Sequence, residues 1–213
     1  MTDPRAIIEL VTFAEGLKNE LRHSYTSTGR HESVAEHCWM LCVMALAVFD
    51  AVELDVDRMK VLKMLIVHDL PEIITGDIPV FDKLEIAEQA AADEEAALEQ
   101  IEAQYHMGAE IAALCREFEA SETNEAKLAR AIDKAEAFIQ HNNAPMETWD
   151  QNDYDYQTDL DHPNKGYFDV DPFLQALRDQ IDADTMTKID AAGTLSKANP
   201  QAVSAYQQTQ TEE

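Results

Sequence analysis

The sequence predicts an all-α fold. Glycine is scarce, with 6 among 213 residues, and no segment sustains the apolar and polar alternation of a strand between turn signals. Apolar residues recur instead at helical spacing, in blocks opened by capping residues or closed by a helix breaker. With 46% apolar residues, the chain can bury one sizeable core, at most a domain and an appendage.

The first helix is expected over residues 5 to 20, with Ile7, Ile8, Leu10, Val11, Phe13, Ala14 and Leu17 on its core side. A polar loop follows from Arg22 to Arg30. Ser33-Val34-Ala35-Glu36 has the spacing of a capping box and opens a helix through Met40, Leu41, Met44, Ala45 and Val48, so His37 falls in a well-capped first turn. Asp57 can cap a third helix, whose apolar stretch Val61 to Val67 runs out at His68-Asp69. Pro71 then disfavours helical geometry at Leu70, and the loop Thr75-Gly76-Asp77-Ile78-Pro79 comes within one turn.

Residues 84 to 104 read as an acidic amphipathic helix, with Asp93, Glu94, Glu95, Glu99 and Glu102 forming a solvated face. A short helix over 108 to 119 and a long one over 123 to 143 follow, the latter carrying Leu128, Ile132, Ala135, Phe138 and Ile139 inward. After Trp149 comes a polar connection from Asp150 to Tyr156, then a helix around 171 to 182. From about residue 192 the chain is small and polar, and a frayed tail is expected. The organisation predicted is a domain over 1–185 of about six to eight helices, and a polar, partly flexible tail over 186–213.

The net charge of −26, from 42 acids and 16 bases, repels the phosphates of a long nucleic acid, so a polymer substrate is not expected. A small anion would have to be drawn by local cations or by a metal. No apolar run approaches the roughly 18 residues that span a bilayer, and Met1-Thr2-Asp3-Pro4-Arg5 lacks a basic segment followed by an apolar one. A cytoplasmic protein without a membrane partner is therefore expected. Cys38, Cys42 and Cys115 read as small buried thiols rather than a disulfide framework or a metal pair.

His68-Asp69 places an imidazole and a carboxylate where a buried helix ends, which points to a catalytic metal. Asp133 lies in a core-forming helix between Ala129 and Ala137, one turn away on either side. An aspartate there is costly unless it is paired or bound to a cation. Read alone, it could equally pair with Arg130 or Lys134 on the surface.

His37, His68-Asp69 and Asp133, in this order, resemble the dispersed H…HD…D metal site of the HD-domain phosphohydrolases, an all-helical superfamily. Arg22, the segment Glu32-Ser33-Val34-Ala35-Glu36-His37 and the segment from His68 to Pro79 are similar to its 5'-deoxynucleotidase branch, bacterial and eukaryotic. In that branch an arginine stands fifteen residues before the first ligand histidine. The resemblance covers roughly residues 5 to 180. It implies a single HD-domain helical bundle and a metal-dependent phosphomonoesterase acting on (deoxy)nucleoside 5'-monophosphates, a small nucleotide substrate, as a homodimer.

The metal ligands it implies are His37, His68, Asp69 and Asp133. Two neutral imidazoles and two carboxylates suit one divalent transition metal of octahedral habit, Mn, Co, Fe or Ni, and leave two positions for water and a phosphate oxygen. Glu72 and Asp77 are assigned to catalysis, Glu72 lying four residues past His68 and hence on the same face of a near-helical turn. Arg22 is the candidate phosphate clamp, its planar fork matching phosphate oxygens. His23 stands where some bacterial members carry a tryptophan implicated in preferring a 2'-deoxy sugar, and the sugar question rests on that position.

Three other readings stay open: another HD phosphohydrolase, acting on a nucleoside triphosphate or a cyclic dinucleotide; a non-catalytic sensor that holds a metal or nucleotide; and a structural scaffold made of acidic helices. The presence of Glu72 and Asp77 beside the ligands favours an enzyme. His31 reads as a loop histidine near the pocket, while His106, His141 and His162 remain unassigned.

Overall fold

Asp3 accepts from the amide of Arg5 (2.9 Å) and Pro4 supplies a preset φ, and together they start helix α1, Pro4–Ala14. The computed structural model describes residues 3–79 and 86–212. The other α-helices are α2 Val34–Val48, α3 Arg58–Val67, α4 Glu72–Thr75, α5 Ala87–Gln104, α6 Gly108–Ala120, α7 Asn124–Asn143, α8 Gln151–Thr158, α9 Pro172–Ala191 and α10 Pro200–Glu212. The all-helical expectation thus holds, but the described residues form ten helices where about six to eight were expected. The extra elements are short or polar, such as α4 and α8, and carry too little apolar periodicity to be read.

The first apolar block also divides. Leu17 is buried, whereas Ile7, Ile8 and Val11 are 47%, 55% and 64% exposed. The apolar arc of α1 is wider than the one face the helix turns inward, and periodicity does not say which part is covered.

Residues 22 to 30 are not wholly loop. Strand β1, Leu21–Tyr25, pairs antiparallel with β2, His31–Ser33, with an irregularity between the Leu21↔Ser33 and Tyr25↔His31 pairs. The strand Leu-Arg-His-Ser-Tyr shows no alternation because one of its inward groups, Ser24, is polar and buried. The hairpin is held from outside by Gln140 of α7 donating to the Tyr25 carbonyl (2.6 Å), and from within by the Tyr25 and His31 rings packed 4.1 Å apart. Gly29 closes the turn with φ 80°.

The predicted caps form as read. Ser33 and Glu36 close a reciprocal capping box on α2, and Asp57 accepts from Met59 and Lys60 at the start of α3. α7 is the central helix, packed against α2, α3, α6 and α9. Its Leu128, Ile132, Ala135 and Phe138 are fully buried with Leu41, Met64, Leu65 and Leu174. Burial pushes the Cys115 thiol up to about 12 and raises that of Cys38 as well, in keeping with inert core thiols.

The run read as a polar connection contains α8, held by a second capping box between Asp150 and Asp153. The region expected to fray forms a turn at Leu195–Lys197 and α10, and its Ala198 and Ala202 are buried against Trp149, Tyr154, Met186 and Ile189. Small apolar residues in a polar sequence give this docking little local signal. Residues 84 and 85 of the expected acidic helix lie outside the described residues. Glu95 and Glu102 of that helix pair with Arg116 of α6. No described helix is long and apolar enough to cross a membrane.

Candidate metal centre

His37 sits in the first turn of α2, His68 and Asp69 follow the last turn of α3, and Asp133 lies midway along α7. Packing of these three helices brings the four side chains together. His37 Nε2 is 3.2 Å from Asp133 Oδ1 and 3.9 Å from Asp69 Oδ2, while His68 Nε2 is 3.0 Å from Asp69 Oδ1. His37, His68 and Asp133 are buried, His37 completely.

The other ring nitrogens are committed. His37 Nδ1 donates to Glu136 Oε2 (2.5 Å), and His68 Nδ1 donates to the Leu65 carbonyl (3.3 Å). Both Nε2 atoms therefore turn toward the Asp69 and Asp133 carboxylates. Two imidazole lone pairs facing two carboxylates, that of Asp133 buried and that of Asp69 partly so, demand a cation among them. Burial and Arg22 push His37 down, but Glu136 and Asp133 outweigh them and raise it to about 9. His68, by contrast, is lowered by burial. Burial pushes Asp133 up, yet Lys134, 2.9 Å from its Oδ2, and the two histidines hold it well below the usual carboxylate range. The donor set fits a divalent transition metal.

Both partners considered for Asp133 from the sequence are resolved by this geometry. Lys134 does pair with it, but in a buried setting shared with His37. Arg130 pairs instead with Glu119 and lies over the Phe118 ring, 4.5 Å from its centroid.

The centre opens into a cavity of about 440 Å³, a size suited to a small organic ligand. Arg22, His23, Glu72 and Asp77 all line it, with His68, Asp69 and Asp133. Asp77 is fixed through its backbone, which donates to Glu20 Oε1 (3.1 Å). Glu72 opens α4 directly after the Asp69-Leu70-Pro71 turn. Arg22 Nε lies 3.5 Å from Glu32 Oε2. Burial lowers the Arg22 pKa, but Glu136, Asp77, Asp69 and Glu32 raise it further, so the guanidinium stays charged. Glu32 itself is raised to about 7, by burial first and then by Glu136.

Sequence reasoning missed Glu136, Glu32, His141 and Asp153. Glu136 had a readable signal, a second acid on the buried face of the helix that carries Asp133. Glu32 had none, since its burial depends on Arg22. His141 and Asp153 line the cavity, whereas His31, on β2, hydrogen-bonds the Arg22 carbonyl (2.8 Å) and does not line it. Because Glu136 fixes the His37 tautomer, Glu136→Gln is expected to weaken divalent-metal binding about 10- to 100-fold. Isothermal titration of the metal-free chain measures this.

The chain is similar to a protein named 5'-deoxynucleotidase HDDC2 from Dictyostelium discoideum, 34% identical over 116 residues, or 51% of this chain and 60% of that protein. It is similar also to the protein of the same name from Homo sapiens, 30% identical over 140 residues, or 64% of this chain and 67% of that protein. The chain thus spans between half and two-thirds of the length of most of the curated relatives it matches. Among solved structures, a protein described as a predicted metal-dependent phosphohydrolase from Magnetospirillum magnetotacticum MS-1 shares the fold, with a TM-score of 0.75, 24% identity and coverage of 92% of this chain and 95% of that one. The family described as HD domain matches residues 14–167, a span that contains all four converging histidine and aspartate side chains, and the chain belongs to that family.

Proposed function

We propose that this chain is a divalent-metal-dependent phosphomonoesterase that hydrolyses (deoxy)nucleoside 5'-monophosphates to nucleoside and orthophosphate. The observation that carries the reading is the convergence of His37, His68, Asp69 and Asp133 at the end of one cavity that also presents Arg22, Glu72 and Asp77. The similarity to proteins named 5'-deoxynucleotidase supports the substrate class.

A bound divalent ion, Mn, Co, Fe or Ni, would lower the pKa of water and polarise the phosphoryl group. Arg22 holds the phosphate through its planar fork, with Glu32 and Glu136 fixing the guanidinium from behind. Lys134 adds a second cation on the same wall. Glu72 and Asp77 take the proton of the attacking water and return it to the departing 5'-oxygen. His23 lines the cavity beside Arg22 and is assigned to contact the nucleoside. Orthophosphate release should be seen across a panel of nucleoside 5'-monophosphates and their 2'-deoxy forms with the metal varied, and should vanish after chelation. Release of pyrophosphate from triphosphates, or of a linear dinucleotide from a cyclic one, would replace this reading with another.

The reading includes a homodimer. Trp39, Val43 and Leu46 recur at helical spacing on α2 and are exposed, an apolar stripe of the kind that marks association. With −26 charges on each chain, pairing is opposed by repulsion that salt screens. Sedimentation equilibrium should show a dimer that strengthens from low to moderate salt and a monomer for Leu46→Glu. A monomer at all salt concentrations would remove the dimer from the proposal.

A further inference from the structure

A second group of ligating side chains lines the same cavity away from the first. His23 of β1, His141 near the end of α7 and Asp153 of α8 place their ring nitrogens and carboxylate oxygen together: His23 Nε2 is 3.0 Å and His141 Nε2 is 3.2 Å from Asp153 Oδ1. His141 stands eight residues beyond Asp133 on the same helix, about 12 Å along its axis. The two groups share no residue.

Two of the three side chains, His141 and Asp153, are held from behind in the manner of metal ligands. His141 Nδ1 donates to the Ala137 carbonyl (2.8 Å), which assigns the tautomer and leaves the Nε2 lone pair directed at a carboxylate oxygen. Asp153 Oδ2 accepts from the Asp150 amide (2.8 Å), so Oδ1 alone faces the two imidazoles. Trp149 packs edge-on against the His141 ring. A lone pair opposite a carboxylate at this distance requires a cation between them, either a proton or a metal. The spacing suits an ion: with metal–ligand bonds of about 2.1 Å, neighbouring ligand atoms of an octahedral site lie about 3.0 Å apart.

We propose that His23, His141 and Asp153 form a second divalent-metal site, independent of the one built on His37, His68, Asp69 and Asp133, taking an ion that favours imidazole and a single carboxylate and leaving its remaining positions toward the cavity. The overall charge of −26 favours cation entry.

The test is equilibrium dialysis of the chelator-stripped chain against Co²⁺ in moderate salt, with cobalt per chain measured by elemental analysis. The native chain is expected to hold two equivalents. His23→Ala and Asp153→Asn should each hold one, His68→Ala one, and the combination of His68→Ala with His23→Ala none. Circular dichroism checks folding, and His23→Ala, on a partly exposed strand, decides the matter should Asp153→Asn unfold. A folded His23→Ala chain that holds as much cobalt as the native chain would overturn the proposal and leave a proton in the place assigned to the ion. Because the readout is metal content, this outcome is separate from whether the chain releases phosphate.

Discussion

Replacing His68 with alanine is expected to lower metal-supported phosphate release about a thousandfold or more, the scale of losing several kcal/mol of Lewis-acid stabilisation. The side chain is half of the imidazole set, and its aim is over-determined. Its Nδ1 is bonded to the Leu65 carbonyl, its Nε2 meets Asp69 at 3.0 Å, and its ring packs 4.5 Å from that of Phe118. Truncation removes the proposed ligand, and the facing Phe118 ring offers no lone pair to replace it. Metal content measured beside activity separates loss of the ion from loss of the fold. A folded His68→Ala chain that keeps both its metal and its activity would dismiss the assignment.

Arg22→Ala is expected to reduce kcat/KM for a nucleoside monophosphate about 10- to 100-fold, the loss of about 1.5–3 kcal/mol from a charge-assisted contact. The guanidinium is buried among Glu136, Asp77, Asp69 and Glu32, so it supplies a fixed positive charge at the mouth of an otherwise acidic cluster. Its removal leaves Glu32 and Glu136 facing each other. Glu32, already raised to about 7, would then take up a proton at neutral pH, and the variant should remain folded. Arg22→Lys restores the charge without the planar fork, so partial recovery of KM with little recovery of kcat would locate the residue's work in orienting the phosphate. Equal kinetics for the native and Arg22→Ala chains would exclude the clamp.

How legible a residue was depended on whether its partner is close in sequence. The caps at Ser33 and Asp57 were readable because cap and acceptor lie within one turn. Asp133 was readable as an acid out of place in an apolar stripe, although its partner His37 is 96 residues away. Glu136 sits on the same stripe and escaped notice because the H…HD…D pattern ends at Asp133. Asp153 lay within a run with no periodicity at all. Its burial comes from His23, 130 residues away, and from His141 on another helix.

By itself the sequence determined the helical class and the main helix positions, because caps, breakers and periodicity act over one or two turns, and its resemblance to the H…HD…D pattern named four side chains in order as candidate ligands. Only the tertiary structure decided which apolar arc of α1 is covered, that a hairpin carries Arg22 and His23, that Glu136 stands behind His37, and that a second histidine and aspartate cluster shares the cavity. These depend on burial and on partners contributed by separate helices. Both are properties of the packed molecule, and apart from the second acid on the buried stripe of α7 they leave no local mark on the chain.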